Sequence, residues 1–277
     1  MKGDGLCLWA GSVQGLDFDR RIEAAHAGGF DSTSLFPYEI HRARAEGIGD
    51  AELRTRFEAA GVRVAVIDPL ARWLPTWRPP GDLPPDDPAY GDLEPDEVFA
   101  MAVAFGADLI SLLALYDPPV SAAVGGPAFA ALCDRAAEHG LRLQLEFVPG
   151  TGIGDLAAAW DIVTAADRAN GGILLDTWHF FRSGSSFELL EQIPADRIFG
   201  LQIEDAPGEP PADLAHESLH GRLLPGEGGL DLERFMAAVA DKVPALTGPE
   251  VFSDRLGALP AAELGRQLGE TTHSLLP

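Results

Sequence analysis

The sequence predicts an α/β chain folded as a single (β/α)8 TIM barrel over residues 1–277. Three observations carry the prediction. Short apolar runs that read as strands alternate strictly with helical stretches, eight times in 277 residues, and such alternation implies a parallel sheet. The length suits a closed barrel of eight units better than an open doubly wound sheet. The phosphate fingerprint of dinucleotide-binding sheets is missing, because Gly150-Thr-Gly-Ile-Gly154 lacks the GxGxxG spacing.

Leu6 to Trp9 is the first strand, followed by the turn-like Ala10-Gly-Ser12. Asp17 to Ala27 reads as a helix stopped by Gly28-Gly29. Phe30 to Phe36 is the second strand, closed by Pro37. Asp50 caps a helix through Ala60, and Val62 to Ile67 is the third strand, closed by Asp68-Pro69. Arg72 to Asp92 is irregular, with Trp73, Trp77, Tyr90 and six prolines. Long segments of this kind are often lids or binding loops. Glu94-Pro95 opens a helix through Phe105, with proline early as expected.

Ala107 to Leu115 is the fourth strand, and Pro127 to His139 its helix. Leu141 to Phe147 is the fifth strand, followed by a helix from Asp155, its N-cap, to Ala169. Gly172 to Asp176 is the sixth strand and Ser186 to Ile193 a helix. Arg197 to Ile203 is the seventh strand, then a proline-rich irregular stretch, Ala206 to Gly229, and a helix from Leu230 to Val243. Thr247 to Phe252 is the eighth strand, and Pro260 to Leu276 closes the chain.

Composition narrows the function. A formal net charge of −23 argues against nucleic-acid backbones and anionic membrane surfaces, which need a basic footprint. Cys7 and Cys133 are isolated and form no CxxC pair, so a reducing cytoplasm is the expected location. Neither a signal peptide nor an apolar run long enough to span a membrane is visible. The hydrophobic fraction of 46% is ample for a core.

The chemistry gathers where apolar strands end in polar residues. Strand five ends Leu145-Glu146-Phe147, strand six Leu175-Asp176-Thr177, strand seven carries Leu201-Gln202-Ile203 and strand eight Pro249-Glu250-Val251. In a parallel barrel these tips share one mouth, and period-two alternation turns the polar residue to the axis. Three converging carboxylates repel one another unless one is protonated or a cation neutralises them. Oxygen donors from Glu, Asp and an amide suit a hard divalent ion such as Mn²⁺ or Mg²⁺. His179 lies just past Asp176, at the start of the following loop, and Arg222 opens Arg-Leu-Leu-Pro-Gly-Glu-Gly228 over the same mouth. Both read as contacts to an oxygen-rich substrate, with a pairing to one of the many acidic residues as the alternative for Arg222. Trp178, Trp9 and the Trp73/Trp77 loop are candidates to line the pocket.

The segments Leu-Glu-Phe, Leu-Asp-Thr-Trp-His, Leu-Gln-Ile-Glu-Asp-Ala-Pro, Arg-Leu-Leu-Pro-Gly-Glu-Gly and Pro-Glu-Val-Phe-Ser resemble the sugar phosphate isomerase/epimerase group of the xylose isomerase-like barrels. That group includes ketose 3-epimerases, hydroxypyruvate isomerases, inosose-processing enzymes, 3-dehydroshikimate dehydratases and endonuclease IV-type repair enzymes. The resemblance implies that Glu146, Asp176, Gln202 and Glu250 take the positions of the metal ligands, and His179 and Arg222 those of substrate contacts. The family's strand-seven ligand is often His; Gln202 makes the site harder and favours Mn²⁺ or Mg²⁺, with Co²⁺ and Zn²⁺ as alternatives. The further His ligands of the multi-zinc nuclease branch have no counterpart in the sequence.

The expected activity is a metal-dependent sugar isomerase or epimerase of carbohydrate metabolism, acting on a keto-sugar or cyclitol through an enediolate. Glu146 and Glu250 are the acid/base pair. Dehydration by the same enolate chemistry is the alternative, followed by a polyol-binding barrel without turnover. A small polyhydroxylated substrate is the expected partner, without nucleic acid or membrane, and the expectation for assembly leans to a homodimer.

Overall fold

The structure is a computed structural model that describes residues 6–78, 93–115 and 118–276. Eight strands form one sheet in sequence order, each parallel to the next. They are β1 (Leu6–Leu8), β2 (Phe30–Leu35), β3 (Arg63–Leu70), β4 (Leu109–Leu112), β5 (Arg142–Glu146), β6 (Gly171–Asp176), β7 (Ile198–Ile203) and β8 (Leu246–Pro249). β8 comes back against β1, so the sheet curls into a nearly closed barrel. At that seam Gly248 has no room for a side chain: a Cβ would sit 1.8 Å from the Cys7 carbonyl oxygen.

Twelve α-helices occur among the described residues: α1 (Phe18–Gly28), α2 (Pro37–Ala45), α3 (Asp50–Ala59), α4 (Pro95–Phe105), α5 (Ala122–Ala137), α6 (Leu156–Ala166), α7 (Thr177–Arg182), α8 (Phe187–Gln192), α9 (Leu214–His220), α10 (Leu232–Ala238), α11 (Asp254–Gly257) and α12 (Ala261–His273). Local chemistry sets many of their ends. Asp17 caps α1 by accepting the Arg20 N–H at 2.8 Å, and Asp155 caps α6 through Ala158 at 2.8 Å. Gly29 and Gly106 end α1 and α4 in the left-handed region. α1 and α12 touch backbone to backbone, since a Cβ on Gly265 would lie 1.9 Å from the Ala24 carbonyl oxygen.

Two apolar layers hold the barrel together. One fills its interior and includes Cys7, Trp9, Val66, Leu109, Leu174, Phe199 and Leu246. The other lies between strands and helices, where Phe57, Phe99, Phe129, Phe180 and Phe235 are essentially inaccessible. Burying such a ring contributes about 1.5–3 kcal/mol. Both cysteines are buried and free. No helix among the described residues is long and apolar enough to cross a membrane.

Several sequence expectations are corrected. Pro37 opens α2 instead of closing a strand, as its fixed φ suits a first helical position. Glu39 accepts the Phe36 N–H and pairs with the buried Arg21, which anchors that start. Asp50 is the first residue of α3, not its cap, and its carboxylate is held by Arg44 at 2.7 and 2.8 Å. α5 begins at Ala122, so Pro127 lies inside it and not at its start; Gly125 and Gly126 provide the close contact with Ile162 and Ala165 of α6. The stretch 206–229 contains α9, capped by Asp213 through His216 at 2.9 Å. The helix expected over 230–243 shortens to α10. β8 ends at Pro249, so Glu250 lies just beyond it.

Candidate active site

The carboxyl ends of the strands surround a cavity of about 560 Å³. Glu146, Trp178, His179, Arg222 and Glu250 line it, together with Asp68, which was read only as part of the turn closing β3. Asp176 and Gln202 are fully buried and are not among the lining residues. Trp9 is sealed inside the barrel. Trp73 packs away from the cavity and donates its indole N–H to the Leu113 carbonyl at 2.9 Å. Trp77 lies under the Arg72 guanidinium, 5.1 Å from ring to cation. The lid expectation for residues 72–92 falls mostly on 79–92, outside the described residues.

His179 is not in a loop. Asp176, the last residue of β6, is also the N-cap of α7, and its Oδ1 accepts the His179 backbone N–H at 2.6 Å. That first turn swings the imidazole back over the strand tip. Nε2 comes to 3.2 Å from Glu146 Oε1 and 3.5 Å from Asp176 Oδ2. One donor atom from each of Glu146, Asp176 and His179 lies within 4.8 Å of the other two. Glu250 faces the same cavity but is outside this trio. Its backbone is pinned by Ser12, whose hydroxyl donates to the Pro249 carbonyl at 2.9 Å and accepts the Val251 N–H at 2.7 Å.

Gln202 stands opposite Asp176 in the β6–β7 register. Neither atom of its buried amide has a hydrogen-bond partner, and neither does His179 Nδ1. Leaving a buried amide unpaired costs about 1–3 kcal/mol, so the amide marks a position where a ligand would be compensated. Two carboxylates, an imidazole and an orphaned amide carbonyl fit a divalent cation. The imidazole moves the set toward borderline ions relative to oxygen donors alone.

Arg222 is more deeply tied into the protein than a simple substrate contact. Its Nη1 donates to Asp176 Oδ2 at 2.8 Å and to the Glu250 carbonyl at 3.2 Å, and Nε donates to the Ser218 carbonyl at 2.9 Å. The guanidinium sits between the Trp178 and Phe252 rings, at 5.2 and 5.1 Å. Desolvation opposes its charge, but Asp176, Glu204 and Glu250 together hold it firmly protonated. The loop carrying it is tied to the Asp205 carboxylate, which accepts backbone N–H groups from Gly226, Gly228 and Leu230.

The site contains a gradient of carboxyl acidity. Burial works against ionisation of Asp176, but His179 and Arg222 prevail and hold its carboxyl below the ordinary range. Burial, then the neighbouring Glu146, pushes Asp68 well above it. Glu250 rises for the same first reason, reinforced by Asp68 and Glu146, and Glu204 rises through burial and Asp176.

Glu204 and Glu217 were missed as site residues. Glu204 Oε1 accepts the Trp178 backbone N–H at 2.6 Å and the Thr177 hydroxyl at 2.9 Å. Glu217 receives the Trp178 indole N–H at 2.8 Å and a two-pronged contact from Arg182 at 2.7 and 2.9 Å. Period two could have found Glu204 from Gln202, and Asp68 from the apolar run before it. Glu217 carries no local signal, because α9 was not recognised.

A family model described as xylose isomerase-like TIM barrel matches residues 22–270. The 3-dehydroshikimate dehydratase of Pseudomonas aeruginosa is 30% identical over 251 residues, covering 87% of this chain and 37% of that protein. The inosose isomerase of Bacillus velezensis is 32% identical over 148 residues, covering 52% of each. The matched region thus spans about half or less of these relatives. In fold, the chain is similar to a crystal structure of the IolI protein with a bound zinc atom, with a TM-score of 0.81, 18% identity and 98% of both chains covered.

Proposed function

The chain belongs to the xylose isomerase-like TIM barrel family, and from that premise we propose that it is a divalent-metal-dependent isomerase or epimerase of a small keto-sugar or cyclitol. The observation that carries the reading is the convergence of Glu146, Asp176 and His179 beside the unpaired Gln202 amide, under a cavity that Glu250 also lines. Glu146, Asp176, Gln202 and Glu250 are the proposed ligand set. His179 Nε2 lies close enough to the first two to join it. The mixed donors suit Mn²⁺, with Mg²⁺, Co²⁺ and Zn²⁺ as competitors. When bound, the ion polarises a carbonyl and its neighbouring hydroxyl and so acidifies the C–H between them.

Glu146 and Glu250 move the proton, one removing it from the substrate carbon and the other returning it on the opposite face or at the adjacent carbon. Arg222, fixed by Asp176 and Ser218, offers its remaining nitrogen to a substrate oxygen, and Trp178 provides a flat wall. The apolar sides of the cavity keep water from the reacting carbon. Glu250→Gln is expected to keep the fold and bound metal while lowering turnover at least ~100-fold. Full activity in that variant would overturn the role of Glu250.

A dehydratase is the second reading, favoured by the longer alignment with the P. aeruginosa protein. Incorporation of solvent deuterium into recovered inosose or ketose supports isomerisation. An absorbance rise from a conjugated product, without such exchange, supports dehydration.

A further inference from the structure

Resting on that reading, we infer that the cavity selects an uncharged substrate, one that carries its reactive hydroxyketone on a body with an apolar face, and that it discriminates against carboxylated and phosphorylated compounds. Charge is the first ground. Among the described residues lining the cavity, Arg222 and His179 are the only cationic side chains. His179 turns Nε2 to Glu146 and Asp176, and its Nδ1 is buried away from solvent. Arg222 has spent Nε and Nη1 on Ser218, Asp176 and Glu250. What is left is single-point donation from Nη2, not the two-pronged fork that holds a carboxylate or phosphate.

The cavity wall is the second ground. Above the polar floor stand Phe36, Leu113, Val148, Leu214 and Phe252, with Trp178 beside them. An anionic group placed against these side chains would lose its water without gaining a partner. A neutral ring can instead lay a C–H face on the aromatic wall while presenting two adjacent oxygens to the floor. Hydrogen bonds from Arg222 Nη2 fit a hydroxyl or carbonyl oxygen in that arrangement.

The test uses the full chain loaded with Mn²⁺ and three planar probes with the same vicinal oxygen pair: catechol, 3,4-dihydroxybenzamide and 3,4-dihydroxybenzoate. Each is titrated by calorimetry, and metal content is measured separately by elemental analysis. The amide matches the carboxylate in size, so it separates charge from bulk. The expected result is that catechol and the amide bind within a few-fold of each other and the benzoate about tenfold or more weakly, from the lost hydration of one unpaired anionic group. Benzoate binding equal to or tighter than the amide overturns the inference while leaving the metal-site reading intact. An amide as weak as the benzoate overturns it as well, since bulk would then decide. A chain that retains no metal overturns the inference together with the reading it rests on.

Discussion

Replacing Asp176 by Asn separates two jobs that one carboxylate performs. Oδ1 caps α7 through the His179 N–H, and Oδ2 holds the buried Arg222 at 2.8 Å. Asn caps a helix about as well as Asp, so that contribution, about 1 kcal/mol, survives. The ion pair does not. Asp176 is fully buried and Arg222 is 2% exposed, and breaking a buried pair by removing one partner costs about 3–5 kcal/mol. Glu204 limits the damage. Its Oε2 lies 3.7 Å from Arg222 Nη1, and the charge of Asp176 helps keep it protonated. With Asp176 neutral, Glu204 loses the second cause that raises it, though burial still opposes its charge, and its closeness to Arg222 places the net loss near the lower bound, about 3 kcal/mol. For a chain of this size that is roughly a 6–10 °C fall in Tm. The assay is urea and thermal unfolding of the chelator-treated protein, wild type against Asp176→Asn, with metal content measured before chelation. A loss under about 1 kcal/mol would refute the claim that the Asp176–Arg222 pair supports the mouth.

Three further outcomes follow from the geometry. In metal-free protein the raised carboxyls of Asp68, Glu204 and Glu250 stabilise fully below their unfolded values, and that stability is lost as pH rises through their folded ones; Asp176 has the opposite sign but is outnumbered. Metal needs the deprotonated ligands, so the Tm gap between metal-loaded and chelated protein should widen from about pH 5.5 to about pH 8, and a gap constant across that range would contradict the assignment. Glu217→Ala leaves Arg182 with the Pro207 carbonyl alone and frees the Trp178 indole, at an expected cost of about 2–3 kcal/mol in urea unfolding, whereas Glu217→Gln keeps an acceptor for the indole and should restore KM more than stability. Gly248→Ala forces a methyl into the Cys7 carbonyl at the β1/β8 seam, and expression yield or Tm should drop steeply; a variant as stable as wild type would mean that the seam is looser than drawn.

The barrel and the strand tips that build its mouth are legible in the order of residues alone. Alternation and apolar period are local properties, and a strand such as Gly171–Asp176 shows both without its neighbours. The same local signals mark Glu146, Asp176, Gln202 and Glu250, and the structure brings them to one end of the barrel. What failed locally was punctuation. Pro37 looks like a stop yet starts a helix, and Pro127 looks like a start yet lies inside one. Only the tertiary structure decided how the polar groups divide the work. His179 reaches Glu146 because a cap on Asp176 turns α7 back across a neighbouring strand. Arg222 meets Asp176 across 46 positions of chain, and Trp178 meets Glu217 across 39. Such partnerships depend on how long loops close over the mouth, and a loop's path is set by distant packing and hydrogen bonds, as the Asp205 carboxylate sets that of residues 226–230. The acidity of each carboxyl follows from the same source, because burial and neighbouring charge exist only once the chain has folded.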